Sequence, residues 1–237
     1  MEEIEIVIAG AGICGLAVAL ALHRKGIKSV VLEKAESVRA TGAGIGIQPN
    51  GWRVLHQLGV ASTLQSTALP ILGGRDISIQ NNGKRRESPL LPVPSVGEVR
   101  CLKRSDLVNV LAGQLPTGTI RFECQIVSVE LDSLTSYPII HLQDGTAIRA
   151  KVLVGCDGAN SIVGNFIGLK PKKVFSSCTV RGFTEYPNSH GLPIEFIRIR
   201  KGNTLFGRVP ITDKLVYWFL LHRWNPTDIL KWPKIQN

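Results

Sequence analysis

Three glycines and one carboxylate near the start of the chain have the types and spacing to hold a phosphorylated ligand. Gly10, Gly12 and Gly15 fall in the stretch "GAGICG", with Ala11 between the first two, and Glu33 closes the apolar run "SVVLE" further on. The first glycine of such a turn permits a tight bend and the second lets backbone N–H groups approach a pyrophosphate. The third lets a helix pack closely on a strand. Phosphate charge then meets the positive helix end and its unpaired donors.

The flanking residues must form a strand, a helix and a second strand for this to work. Residues 4–9 are a nearly continuous apolar run, as a buried parallel strand requires. From residue 13 to 24 apolar side chains recur at helical spacing, with Leu16, Leu20 and His23 along one side, and Gly26 ends the helix. Residues 29–32 form the second strand and lead into Glu33, where a carboxylate accepts both ribose hydroxyls of a dinucleotide. The same charge makes NADP a poor occupant and leaves FAD and NAD. The plain alternative for Glu33 is a solvated strand end paired with Lys34 or Arg39.

Length and composition set the outer bounds. A chain of 237 residues with 44% hydrophobic and 19% charged residues has the composition of a soluble globular protein, as one large domain or two small ones. No apolar run reaches the length of a membrane-spanning helix. Met1 leads straight into an acidic pair and a strand, with no signal or transit pattern, so the expected location is the cytoplasm. Five cysteines, without a CxxC pair, read as free thiols in a reducing compartment rather than as a disulfide framework or zinc site. The net charge of +10 gathers at Lys84-Arg85-Arg86 and at residues 170–173, with no interleaved aromatics. That pattern argues against nucleic-acid binding and suits attraction of an anionic cofactor or substrate.

Further along, "GAGIGIQPNGWRVLHQLGV" reads as a glycine-rich strand and a helix starting near Pro49 and stopping at Gly59. Residues 76–80 alternate like a strand before an Asn-Asn-Gly turn. A proline-rich loop (Pro89, Pro92, Pro94), a short strand at residues 99–102 and a helix from Asp106 capped by Ser105 follow. Residues 122–131 read as a strand, and a hairpin around Asp144-Gly145 runs into an apolar strand at 152–154. Beyond Gly168 the chain becomes a series of alternating strands, "CTVRGFTEY", "IEFIRIR", "TLFGRVPI" and "LVYWFLLH", expected to form an antiparallel sheet. The fold class is therefore α/β, with a Rossmann-like βαβ domain (1–70 and 99–168) interleaved with a β-sheet domain (71–98 and 169–237).

Four segments in register resemble the p-hydroxybenzoate-hydroxylase-type, single-component FAD monooxygenases, in the plant branch near zeaxanthin epoxidase and salicylate hydroxylase. They are the GxGxxG unit, "GAGIGIQPNGWRVLHQLG", "CLKRSDLVNVL" and "VLVGCDGANSIV". The resemblance implies that Gly10, Ala11, Gly12 and Gly15 cradle the FAD pyrophosphate and that Glu33 and Lys34 lie at the ribose. It implies that Arg39 and Arg104 reach the diphosphate and ribityl region, where a guanidinium fork suits phosphate oxygens. Ile126 touches the adenine through its backbone, and Asp157 and Gly158 lie by the flavin. The plain alternatives are surface salt bridges for the arginines and a tight turn for Asp157-Gly158.

On the same resemblance NADH or NADPH reduces the flavin, and O2 then supplies one oxygen atom to a small aromatic or olefinic substrate. The protein contributes position and a dry cavity. The substrate would lie on the sheet, with Arg181, Phe183, Phe206, Arg208 and Trp218 as lining. No Ser-His-Asp set and no metal-ligand spacing is present; His23, His56, His141, His190 and His222 are scattered. The chain departs from the family at Gly164, where an arginine usually follows the valine. It also lacks a Gly-Asp dipeptide, which the family places on a strand after the substrate sheet. That absence suggests a C-terminally truncated chain, and with it two other readings: a non-catalytic remnant of the FAD fold, or a flavin reductase or dehydrogenase.

Overall fold

The computed structural model describes residues 1–39, 42–89, 97–170 and 177–223. The expected loop prolines Pro92 and Pro94, part of the basic cluster at 170–173 and the tail 224–237 lie outside the described residues. In chain order the elements are β1 (Glu2–Ala9), α1 (Ile13–Arg24), β2 (Val30–Leu32), β3 (Gly44–Ile47), α2 (Pro49–Gln57), α3 (Ala61–Gln65), β4 (Gly73–Ile79), β5 (Arg85–Pro89) and β6 (Arg100–Lys103). There follow α4 (Arg104–Gly113), β7 (Ile120–Arg121), β8 (Ile126–Leu131), β9 (Pro138–Leu142), β10 (Ala147–Gly155), α5 (Ile162–Phe166), β11 (Ser177–Glu185), β12 (Glu195–Lys201), β13 (Thr204–Pro210) and β14 (Leu215–Arg223).

The chain divides into two compact units. The first comprises Met1–Thr41, Val54–Thr63 and Arg104–Lys172; the second comprises Gly42–Arg53, Leu64–Lys103 and Lys173–Asn237. These boundaries differ from those expected from composition. β3 and β6 pair with each other as a two-stranded ribbon and belong with the second unit rather than with the βαβ segment. The reason lies in packing: Gly44 of β3 abuts the Tyr217 ring on β14, so closely that a β-carbon there would fall 2.6 Å from it.

In the first unit the sheet order is β7-β2-β1-β10-β9-β8, with β7, β2, β1 and β10 parallel and the β10-β9-β8 meander antiparallel. Val7, Ile8 and Ala9 of β1 are wholly buried, as the continuous apolar run required. The polar start of the same strand is matched by charge on its surroundings. Glu2 takes a two-pronged pair from Arg121 at 2.7 Å, Glu3 pairs with Arg149, and Glu5 pairs with Lys151 at 2.9 Å. The buried face of α1 is Gly15, Leu16, Ala19 and Leu20. His23, expected on that face, is instead exposed in the last turn, where a basic group suits the negative helix end. α4 starts at Arg104 directly out of β6, so Ser105 lies inside the helix and not at its cap. Of the strand expected over 122–131 only Ile126–Leu131 forms, as β8; β7 ends before that range, at Arg121.

The second unit holds a six-stranded sheet in the order β11-β14-β13-β12-β4-β5. It is antiparallel except at one place: β12 runs parallel to β4, with Ile197 beside Arg75 and Ile199 beside Ile77. These two strands are far apart in sequence, so no hairpin forces them antiparallel. Arg75 ties β4 to both neighbours, reaching Glu195 at 2.5 and 2.9 Å and Glu87 at 3.1 Å. Among the described residues no helix is long and apolar enough to cross a membrane, and no group of three or more His, Cys, Asp or Glu could hold a metal ion.

Candidate functional site

The parallel strands of the first unit end around a cavity of about 360 Å³. β1 contributes Ala9, the turn contributes Gly10 and Gly12, β2 leads to Glu33 and Lys34, and β10 leads to Cys156, Asp157 and Gly158. Ile126 at the start of β8 also lines it. A crevice at the carboxyl ends of parallel strands is where open α/β sheets place their ligands.

The three glycines have separable roles. Gly10 has φ +95°, and a β-carbon on it would meet the Cys156 carbonyl oxygen at 2.8 Å. A β-carbon on Gly15 would fall 1.9 Å from the Gly10 carbonyl oxygen, so this glycine seats α1 against the turn. Gly12 is different: nothing lies within 4 Å of where its β-carbon would be. It is the N-cap of α1, with no side-chain cap and no acid in the first helical turn. The helix therefore presents bare N–H donors beside open space, which is the shape a pyrophosphate fills.

Glu33 is held rather than solvated. Its Oε2 accepts the Ala11 N–H at 2.8 Å and its Oε1 accepts the Ala35 N–H at 2.9 Å. Neither Lys34 nor Arg39 forms the ion pair considered from sequence. Each carboxylate oxygen keeps a further acceptor position, so the side chain still has capacity for ribose hydroxyls. Asp157 is also engaged. Its Oδ1 accepts from the Ser161 hydroxyl at 2.5 Å, and its Oδ2 accepts the N–H groups of Ile162 and Val163 at 2.7 and 3.3 Å. Ser161, the N-cap of α5, accepts from the Gly164 N–H at 2.7 Å. Gly164 is thus a tight fit, since a β-carbon there would stand 3.0 Å from the Ser161 oxygen.

Of the residues singled out from sequence, the cavity gathers Gly10, Gly12, Glu33, Lys34, Ile126, Asp157 and Gly158. Ala11 and Gly15 are buried behind the turn. Arg39 is exposed and Arg104 is half-buried, and neither lines the cavity. Cys124, Gln125, Cys156, Asn160 and Ile162 also line it and were not anticipated; of these only Gln125 and Cys156 adjoin a residue that was.

The second unit has a cavity on each face of its sheet. Phe206, Arg208 and Trp218 line one of about 390 Å³ together with Thr184 and Tyr186. There the Trp218 indole N–H donates to Thr184 Oγ1 at 3.2 Å, and Arg208 Nη1 is buried with no partner among the described residues. Arg181 and Phe183 pair across strands with Phe219 and Tyr217, which places them on the opposite face. That face and the β3–β6 ribbon enclose an apolar cavity of about 380 Å³, lined by Phe196, Val209, Tyr217, Phe219, Cys101 and Gln48. Burial pushes the Cys101 thiol up to about 12 and raises the Tyr217 phenol as well, so both are uncharged hydrogen-bonding groups at neutral pH.

A βαβ glycine turn open at Gly12, a carboxylate at the second strand end and an interleaved β-sheet unit define a dinucleotide-binding flavoprotein fold. The chain belongs to the FAD binding domain family, whose model matches residues 3–224. FAD is thereby selected over NAD, and the Gly12 opening and the Glu33 carboxylate fit its ADP portion. The chain is 57% identical over 222 residues to "Monooxygenase 1" of Arabidopsis thaliana, covering 94% of this chain and 55% of that protein. It is 39% identical over 225 residues to "Monooxygenase 2" of the same plant, covering 95% and 54%. The chain thus spans about half the length of these curated relatives. HpxO of Klebsiella pneumoniae, complexed with FAD and uric acid, superposes with a TM-score of 0.77 at 20% identity, covering 94% of this chain and 57% of that one. The tetrameric form of 2-methyl-3-hydroxypyridine-5-carboxylic acid oxygenase does so with 0.76 at 22% identity, covering 94% and 59%.

Proposed function

We propose that the chain is the cofactor-binding and substrate-sheet part of an FAD-dependent monooxygenase, which uses NADH or NADPH and O2 to oxygenate a small aromatic or olefinic molecule. The observation that supports this reading is the cavity of the first unit, where the space at Gly12 is open and the Glu33 carboxylate lines the wall. Bound FAD would supply the redox and oxygen chemistry. The residues of this chain orient it: the first turn of α1 donates to the phosphates, Glu33 accepts from the adenosine ribose, and Ile126 flanks the base. Asp157 fixes the start of α5, its Oδ1 accepting from the Ser161 hydroxyl and its Oδ2 from the Ile162 and Val163 N–H groups. Roles at the cofactor for Arg39 and Arg104 remain part of the proposal.

For the substrate, the apolar cavity lined by Phe196, Tyr217 and Phe219 suits a flat ring. Arg181 and Phe183 share its sheet face. Phe206, Arg208 and Trp218 belong to the other face, where the unpaired Arg208 Nη1 suits an anionic group. The free thiols fit a reducing compartment such as the cytoplasm.

The test is the visible absorption spectrum of purified residues 1–237 before and after incubation with FAD, followed by NAD(P)H and O2 consumption with aromatic acids. Structured, shifted flavin bands in stoichiometric amount are expected. A folded sample that retains no flavin overturns the reading. Reduction of the flavin with no oxygen incorporated into any product assigns a reductase instead.

A further inference from the structure

Two thiols meet at the cofactor cavity from distant parts of the chain. Cys156 Sγ–H donates to Cys14 Sγ at 3.4 Å. Cys14 lies in the first turn of α1, two residues after the open Gly12, and is exposed. Cys156 directly follows β10, is half-buried and lines the cavity beside Asp157 and Gly158. Its backbone N–H is fixed by the Ala9 carbonyl at 2.9 Å, so the strand end cannot drift from the turn.

We propose that Cys14 and Cys156 are a peroxide-sensitive thiol pair whose disulfide weakens FAD binding; the affinity part rests on the FAD reading above. The two sulfurs differ as a nucleophile and a resolving thiol should. Cys14 is open to solvent in the first turn of α1, so a small oxidant reaches it first. Burial, and then the contact with Cys14, push the Cys156 thiol up to about 12, which keeps it protonated until a reactive sulfur is presented to it. In the first step the Cys14 sulfur attacks one oxygen of hydrogen peroxide. The S–O bond forms, the O–O bond breaks, and the thiol proton leaves in a molecule of water. In the second step the Cys156 sulfur displaces the hydroxyl of that sulfenic acid, the S–S bond forms, and its proton completes a second water. Two thiols lose two electrons and the peroxide becomes two waters.

The disulfide draws the sulfurs together by about 1.4 Å, to about 2.05 Å. It covalently joins the first turn of α1 to the adjoining end of β10, where the two already touch. The first turn of α1 can then no longer adjust to the phosphates, and FAD that already fills the cavity resists the closure.

The test has two arms. First, the reduced chain is treated with stoichiometric hydrogen peroxide at high dilution, and peptides are mapped by mass spectrometry without reductant. A Cys14–Cys156 cross-linked peptide that dithiothreitol removes is expected. Cross-links spread over Cys101, Cys124 and Cys178, or none at Cys14, overturn the proposal whether or not FAD binds. Second, FAD is titrated by flavin fluorescence into the reduced and oxidised chain. A loss of affinity of at least about fivefold on oxidation is expected. Cys14→Ser and Cys156→Ser should each abolish the peroxide effect on affinity, and Cys178→Ser, on β11 and not lining the cofactor cavity, should not. Equal affinity in the two redox states overturns the switch. A reduced chain that binds no FAD overturns the cofactor reading together with the switch, and the mapping arm then judges the thiol pair by itself.

Discussion

Glu33 Oε2 accepts the N–H of Ala11 at 2.8 Å, so the residue expected to face the ribose also pins the glycine turn to the end of β2. The second oxygen does the same for Ala35. Replacing Glu33 by alanine leaves two half-buried N–H groups without acceptors as well as removing the ribose partner. Glu33→Ala should therefore cost about 1–3 kcal/mol of stability and reduce FAD affinity by about tenfold or more. Glu33→Gln should fall between, because one amide oxygen replaces only one of the two acceptors. Urea denaturation and flavin fluorescence titration measure the two effects separately. An alanine variant with unchanged stability would show that the turn holds without the carboxylate.

Gly12 and Gly15 should separate binding from folding. At Gly12, φ is −74° and ψ −179°, an extended backbone that any residue adopts, and the β-carbon position is open. Gly12→Ala should change stability by no more than about 1 kcal/mol while lowering FAD affinity about tenfold or more, since the added methyl occupies phosphate space. Gly15→Ala places a carbon 1.9 Å from the Gly10 oxygen and should destabilise by about 3 kcal/mol or more. Thermal melts with and without FAD read both. An intact affinity in a folded Gly12→Ala chain would show that the pyrophosphate does not approach there.

The cradle was legible in the sequence because its constraints are covalent and local: only glycine tolerates φ +95° at Gly10 or the contact at Gly15. The residues drawn in from β10 and β8, such as Cys156 and Gln125, depend on strand pairing that no local pattern announces. The substrate list shows the same limit. Side chains alternate along a strand, so Tyr217 and Trp218 face opposite sides, and only the register with β11 and β13 shows which neighbours each one joins. Phe206, Arg208 and Trp218 come together, while Arg181 and Phe183 fall on the other face. The ribbon of β3 and β6 was hidden for a related reason. Its membership of the sheet unit follows from a glycine meeting an aromatic ring across a long sequence gap, at Gly44 and Tyr217.

That pattern of glycine against aromatic recurs at Gly207, where a β-carbon would fall 2.3 Å from Phe219 Cζ and 2.4 Å from Cε1. The Phe219 ring is held by Tyr217 and Phe196, with centroids 6.1 and 6.3 Å away, so it cannot turn aside freely. Gly207→Ala should destabilise the chain by about 1–3 kcal/mol. Phe219→Leu should cost less in the Gly207→Ala background than alone, giving a coupling energy of about 0.5 kcal/mol or more. Chemical denaturation of the four proteins in the cycle measures it, and strict additivity would mean that the ring moves away at no cost.

Asp132 should make a visible part of the acid sensitivity. The backbone N–H groups of Thr135 and Leu134 donate to its Oδ1 at 2.8 and 3.0 Å, and Arg149 pairs with Oδ2 at 3.0 Å. Those donors, the backbone ones foremost, hold its carboxyl at about 2, below its ordinary value of 3.8. A folded-state value below the unfolded one means that the charged form is favoured by folding. The contribution is therefore fully present above pH 3.8 and is lost as the pH falls through about 2. Glu2, Glu5, Glu87 and Asp144 are also lowered by their partners, so the wild-type chain keeps losing stability in acid from several sites. The share of Asp132 is isolated by the difference between wild type and Asp132→Asn in urea midpoint, followed from about pH 5 to the lowest pH at which both remain folded. Wild type should be the more stable at the upper end, and the gap should narrow as the pH drops below 3.8. A gap independent of pH would show that the loop from Asp132 to Thr135 is held by its backbone alone.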